Sequence, residues 1–432
     1  MQIYVVQQGD TLDQIAATYG SSVQDIINAN ELNAPNQLVI GQALVIPIIG
    51  EFYFVQPGDT LSSVAARFNI SVEELATVNG MNANQIIYPG FRLYIPPGPK
   101  EPITSNAYIE PMGEEVSQTL ETAARNYTPF LTYLGLFSYR INRDGTLTAP
   151  PTGNLIQTAR ENGASIMMSV TNLEGGEFST EVGHIILTVQ AVQNRLLDEI
   201  INIATEQGFR DVHFDLEFLP PEDREAYNRF LRTAKDRLSQ AGLLISTALA
   251  PKTSAEQSGQ LYEAHDYQAH GEIVDMVVIM TYEWGYSYGP PMAVSPVNSV
   301  REVVEYAVSE IPPEKILLGQ NLYGYDWTLP FVQGGEAARA VSPQQAIQIA
   351  WENNVAIQYD NQAQAPYFTY TDTSGQEHEV WFEDARSIQA KFDLIREFQL
   401  LGISYWKLGL AFPQNWLLLN DQFNIRKLEE EE

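Results

Sequence analysis

The residues best suited to do chemistry lie in one run, Gly208-Phe209-Arg210-Asp211-Val212-His213-Phe214-Asp215-Leu216-Glu217. Apolar and polar residues alternate through it, which is the period of an extended strand. One face carries Val212, Phe214 and Leu216, and the other carries His213, Asp215 and Glu217. Three ionisable groups on an interior face are costly unless they interact. Two carboxylates at i and i+2 stand about 6–7 Å apart along a strand. Side-chain rotation brings such a pair within hydrogen-bond reach, so that one member titrates well above the other. A neutral Glu is a general acid, and a charged Asp behind it can orient another group. This is glycosidase chemistry, yet Asp215 stands too close to Glu217 to face it across a sugar ring as a conventional partner.

Composition removes several other chemistries. The chain has no cysteine, so disulfides, thiolate zinc sites and a Cys nucleophile are excluded together. Its five histidines are scattered with no HExxH-like pair, and a metal enzyme is not expected. With 54 Asp+Glu against 24 Lys+Arg, the formal charge of −30 repels nucleic acid and anionic lipid, so neither is expected as a partner. Met1 leads into Gln2-Ile3-Tyr4-Val5-Val6 and then polar residues, without the basic start and apolar run of a secretion signal. The apolar stretch Ile273–Met280 carries Asp275 and is far short of a membrane span. A soluble monomer is expected, and the closing Leu428–Glu432 run reads as a solvated, frayed end.

A catalytic strand needs a scaffold that brings several strand ends to one mouth. Short apolar runs alternate with amphipathic helices at Ala107–Ile109, Phe130–Ser138, Ser165–Thr171, Asp211–Glu217, Leu243–Ala250, Met276–Tyr282, Lys315–Leu322 and Gly402–Leu408. These predict an α/β fold, a (β/α)8 TIM barrel over residues 104–427, with Glu217 at the C-terminal end where barrel active sites are built. Tyr227, Phe230, Leu231, Ala234 and Leu238 form one apolar stripe on the helix after the fourth strand. The gap between strands seven and eight is long. Tyr367–Tyr370, a turn at Asp372–Gly375 and Glu379–Phe382 read as a hairpin within a small α+β insertion at about 328–385.

Ahead of the barrel the chain repeats itself. Tyr4–Leu12 recurs as Tyr53–Leu61, and the spacing of 49 from Gly9 to Gly58 also carries Asn30 to Asn79, Gly41 to Gly90 and Pro47 to Pro96. Each unit reads as β-α-α-β, with Gly-Asp-Thr making a turn and capping a helix. The two units, 1–48 and 51–97, resemble the LysM module, and the resemblance implies binding of N-acetylglucosamine-containing glycans. It assigns that contact to Gly9, Asp10, Thr11 and Asn30, and to Gly58, Asp59, Thr60 and Asn79. A packing module with no ligand is the competing reading. Two copies would add avidity. The charge of −30 leaves hydrogen bonds and stacking, not basic patches, to hold the glycan. Pro96–Pro102 reads as a stiff linker.

Asp215-x-Glu217 on strand four, Met280-Thr281-Tyr282 on strand six and Trp406 on strand eight resemble glycoside hydrolase family 18. That resemblance implies a retaining, substrate-assisted reaction in which the substrate's own acetamide attacks the anomeric carbon, with no metal or cofactor required. It implies that Glu217 protonates the leaving oxygen and later activates water. Asp215 would orient the acetamido N–H, Tyr282 would bond its carbonyl, and Trp406 would floor the sugar. Three positions depart from the family pattern: Arg210-Asp211 replaces Asp-Gly, His213 replaces an inner Asp or Asn, and Glu283 follows Tyr282 in place of Asp. His213 and Glu283 are counted with the substrate-binding residues, although His213 also reads as a satisfied core histidine. Trp284 and Trp327 could stack on sugars or pack in the core, and Asn172 and Asn321 could bond hydroxyls.

The stretches Arg210–Asp215, Glu222–Leu231, Gly289–Pro296 and Gly319–Gly324 are similar to the spore-germination branch of that family, which also carries two LysM repeats. This implies an N-acetylglucosaminidase acting on spore-cortex peptidoglycan, deposited on the spore without a signal peptide. A chitinase acting on chitin-like glycan is the alternative enzyme. A wall-binding coat protein with a silent barrel is the alternative of another class.

Overall fold

The computed structural model describes residues 1–33 and 37–428, so the Glu429–Glu432 run lies outside the described residues. Strands Glu101–Ile109, Tyr133–Ile141, Ser165–Thr171, Asp211–Asp215, Leu244–Leu249, Met276–Ile279, Ile316–Asn321 and Gly402–Trp406 pair in chain order. The eighth returns to the first, with Gly402 opposite Thr104 and Tyr405 opposite Ala107, and this closes a parallel barrel with its helices outside. The ladder of strand four stops at Asp215, two residues earlier than the alternation predicts, and Glu217 sits just beyond it.

The alternation places side chains as expected. Val212 and Phe214 join the large core between sheet and helices, where Phe214 meets Phe230 edge-on at 5.2 Å. Phe230 belongs to the predicted apolar stripe, now on helix Arg224–Gln240. The barrel interior holds a separate core of Tyr108, Tyr133, Met167, Met276, Val278 and Leu317. Buried polar side chains share that interior, among them Asn106, Ser169, His213 and Ser246.

The α+β insertion surrounds its hairpin with three more strands. Gly324–Thr328, Arg339–Val341, Gln358–Asp360, Ala365–Thr371 and Glu377–Trp381 form one antiparallel sheet, joined by helix Pro343–Glu352. Trp327 is buried there and donates from Nε1 to the Gly289 carbonyl at 2.9 Å, so it packs and does not face a sugar.

Each N-terminal unit is β-α-α-β. Gln2–Val5 pairs with Ala43–Ile46 around helices Leu12–Tyr19 and Val23–Asn30, and Glu51–Phe54 pairs with Arg92–Ile95 around Leu61–Arg67 and Val72–Val78. The first unit is fused to the barrel. Its Ala43 and Val45 belong to the barrel's outer core, and Val39 belongs to the insertion's core. The second unit has its own core and leans on the first, where Phe52 and Phe54 pack against the first unit's core. Among the described residues no helix is long and apolar enough to cross a membrane.

Candidate active site

A cavity of about 290 Å³ opens at the C-terminal ends of the barrel strands. Asp215, Glu217, Tyr282, Glu283, Trp284 and Trp406 all line it, so six of the residues picked from sequence converge. Trp406 meets Phe137 edge-on at 4.7 Å and Tyr108 at 5.6 Å, which fixes the indole at one wall. Glu283 has a backbone φ of +68°, a conformation rare outside glycine, and its carboxylate accepts hydrogen bonds from Tyr323 and Tyr325 hydroxyls.

Burial pushes both carboxyls of the pair upward. Glu217 is raised furthest, by burial and then by the negative charge of Asp215. A Glu kept neutral beside a second carboxyl is suited to donate a proton. Asp215 lines the cavity, and its Oδ1 is buried with no hydrogen-bond partner among the described residues, so the protein itself leaves this carboxyl under-satisfied.

The backbone around Glu217 is clamped from two sides. Asn172 accepts from the Glu217 N–H at 3.0 Å and donates to its carbonyl at 2.9 Å. His265 accepts from the Ala250 N–H through Nδ1 at 2.9 Å, so Nε2 carries the proton that it donates to the Leu216 carbonyl at 2.9 Å. Burial holds that ring neutral by pushing its pKa down to about 4. Phe218, at φ +53°, then turns the chain away from the strand.

His213 sits beneath the cavity in a directed chain of hydrogen bonds. Ser246 donates to Asp211 at 2.5 Å, so its oxygen must accept from His213 Nδ1 at 2.8 Å. His213 Nε2 therefore accepts from the Tyr108 hydroxyl at 2.8 Å. The ring is fully buried and its pKa is pushed down to about 3.

Several sequence expectations are corrected here. His213 has no exposure and meets only protein, so it is not a substrate contact. Asn172 spends its amide on Glu217 and on the Ser179 carbonyl at 3.0 Å, so it positions the acid and bonds no sugar hydroxyl. Asn321 is fully buried, donates to the Tyr323 carbonyl at 2.7 Å and is absent from the cavity wall. In the repeats, Asn30 and Asn79 bridge backbone instead of facing a glycan. Asn30 bonds Ile26 and Val45, and Asn79 bonds Leu75 and Tyr94. Asp10 and Asp59 lock their own turns through Tyr4 and Tyr53 hydroxyls at 2.6 Å, and Thr11 and Thr60 cap helices. Gly9 and Gly58 stay exposed at φ +89° and +92°.

Other wall residues were not picked from sequence: Phe137, Phe178, Pro251, Leu261, Tyr262 and Met280. Met280 stands in the quoted Met-x-Tyr run, but nothing local marks the aromatic and aliphatic residues as wall. Removing the Asn172 clamp with Asn172→Ala is expected to lower kcat about tenfold with KM little changed, because the acid is misplaced while the sugar contacts remain. Steady-state kinetics on a soluble glycan fragment would check this; a rise in KM alone would return Asn172 to the substrate contacts.

The family model described as Glycosyl hydrolases family 18 matches residues 108–411, and the LysM domain model matches residues 4–47 and 53–96. The chain is 64% identical over 427 residues to the cortical fragment-lytic enzyme of Bacillus subtilis (strain 168), covering 99% of both chains. It is 51% identical over 428 residues to the Bacillus anthracis enzyme of the same description, again covering 99% of both chains. Among solved structures it is similar to the Bacillus megaterium QM B1551 spore cortex-lytic enzyme SleL, with a TM-score of 0.92, 53% identity and 99% of each chain covered.

Proposed function

The chain belongs to glycosyl hydrolases family 18, and we propose that it is a spore enzyme that hydrolyses N-acetylglucosamine linkages in cortex peptidoglycan with retention of configuration. The observation that carries the mechanism is the convergence of the under-satisfied Asp215 carboxyl, the raised Glu217 and Tyr282 on one cavity wall. A 2-acetamido N–H in the cavity is a donor that the Asp215 carboxyl can accept. Held there, with Tyr282 bonding the acetamide carbonyl, the acetamide oxygen attacks the anomeric carbon as the glycosidic C–O bond breaks. Glu217 gives its proton to the leaving oxygen. The charged Asp215 stabilises the oxazolinium ion that results. Water then adds to the anomeric carbon, Glu217 takes its proton, and the ring opens to the free sugar with the acid restored. Trp406 floors the sugar through the chemistry. LysM binding holds the polymer near the barrel.

The cavity holds a third carboxylate, Glu283, and a covalent route through it would not need the acetamide. Matched aryl glycosides of N-acetylglucosamine and glucose separate the two routes. The acetamide route cleaves the first, with the β-anomer retained by NMR, and leaves the second intact. Equal cleavage of both, or an inverted product, would overturn it. Mass spectrometry of purified cortex fragments separates the N-acetylglucosaminidase reading from a chitinase, which would leave muramic-lactam products untouched.

A further inference from the structure

The 49-residue spacing between the repeats allows the same surface to be compared twice in one molecule. In the first repeat the loop before the last strand is an interface. Val39 is 4% exposed within the insertion's core, and Gln42 is 1% exposed. The Ile40 carbonyl accepts from the Ile357 N–H at 2.8 Å, as a strand edge would. Gly41 accepts from Arg386 at 3.1 Å, and Gln414 donates to Asn30 at 2.9 Å and to the Ala43 carbonyl at 3.1 Å. In the second repeat the equivalent positions are uncovered and apolar: Tyr88 is 68% exposed and Phe91 43%. Ile86, on the same loop, is 73% exposed.

We infer that the repeats divide their labour: the first is a structural part of the catalytic unit, and the second captures the glycan on the face made by Ile86, Tyr88 and Phe91. This rests on the reading that these modules hold cell-wall glycan. The chemistry of the face selects that occupant. From Asn79 to Phe91 there is no Asp, Glu, Lys, Arg or His, in a chain whose formal charge is −30. Asn82, Asn84 and Gln85 are exposed on the same loop. Rings that stack on apolar sugar faces, flanked by amides that bond hydroxyl and acetamido groups, suit an N-acetylhexosamine polymer. A second copy of this chain would bring its own charge of −30 to the contact and be repelled. Two repeats therefore supply one capture site, and no avidity between them.

The test uses the full chain carrying Glu217→Gln, so that the polymer is not consumed, and co-sedimentation with insoluble cortex peptidoglycan. Ile86→Ser with Tyr88→Ser is expected to weaken binding by at least about tenfold. Gln37→Ser with Ile40→Ser, in the first repeat's loop, is expected to leave it unchanged. A loss confined to the first-repeat pair would overturn the division while leaving glycan binding intact. Retention in both would also overturn the assigned face. If the parent protein did not sediment at all, the glycan-binding reading itself would fall.

A pair of glycines tests the structural half. Gly41 and Gly90 have φ of +84° and +85°, so alanine meets the same backbone strain at each. An added Cβ at Gly41 would stand 1.9 Å from the Ile357 carbonyl oxygen, whereas at Gly90 it meets nothing within 4 Å. Gly41→Ala is expected to lower Tm by several degrees more than Gly90→Ala. Equal Tm values would overturn the structural role of the first repeat.

Discussion

Glu217→Gln is expected to lower hydrolysis of cortex fragments about 10³-fold while making the protein more heat-stable above neutral pH. Gln keeps the shape and the Asn172 clamp, which bonds only the backbone of residue 217. It removes the proton that must reach the leaving oxygen, so kcat falls while binding remains. The stability effect has the opposite sign because the carboxyl is held above its ordinary value by burial and by Asp215. In the unfolded chain Glu titrates near ~4.3. As pH rises from there through the higher folded value, the unfolded state loses its proton first, and wild-type stability falls across that window. Gln cannot ionise and loses nothing there. Calorimetry should therefore show a Tm gain of about 2 °C or more at pH 8 and no gain at pH 4. A variant that is inactive and less stable at both pH values would mean that the residue was holding the fold, and hydrolysis that survives undiminished would sink the mechanism.

The carboxyl pair was legible in sequence because its signal is local and contradictory: an alternating strand that puts charge where a barrel wants apolar bulk. Asp215 and Glu217 need no knowledge of the rest of the chain to stand out. The barrel strands were legible for a related reason, since each is a buried apolar run between helices of clear period. The asparagines were not. Asn172, Asn30 and Asn79 satisfy backbone groups brought beside them by folding, and an amide carries no mark of whether its partner is a peptide or a sugar. His213 was ambiguous because its two direct partners, Tyr108 and Ser246, lie on two other strands, and only Asp211, at one remove, is near it in sequence. The insertion was underread because two of its strands are three residues long, too short to show a period. The repeats show the limit most sharply. Gly41 and Gly90 occupy the same place in the pattern, yet one touches the insertion and the other faces open space. A spacing identifies the module and says nothing of what covers it.

Asp215→Asn is expected to lower kcat about 10²-fold and to move the alkaline limb of the rate profile to lower pH. Asn is isosteric and its oxygen can still accept the acetamido N–H, so the substrate should bind. It supplies no charge to the oxazolinium ion, and in a buried site a charged partner is worth roughly twice a neutral one, with a further gain from low dielectric. The shift of the limb follows from the pair itself. The Asp215 charge helps to hold the Glu217 carboxyl up, and removing it lets that carboxyl fall toward its ordinary range. Glu217 then loses its proton at lower pH, and the acid form is depleted earlier as pH rises. The two effects separate in one experiment. If Asp215 acted only by raising Glu217, assaying the variant at lower pH would restore the wild-type kcat. If it also stabilises charge on the acetamide, the deficit persists below the displaced limb, where Glu217 is fully protonated. A full rescue at low pH would leave Asp215 as a positioning residue for the acid alone, and an unmoved limb would break the electrostatic link between the two carboxyls.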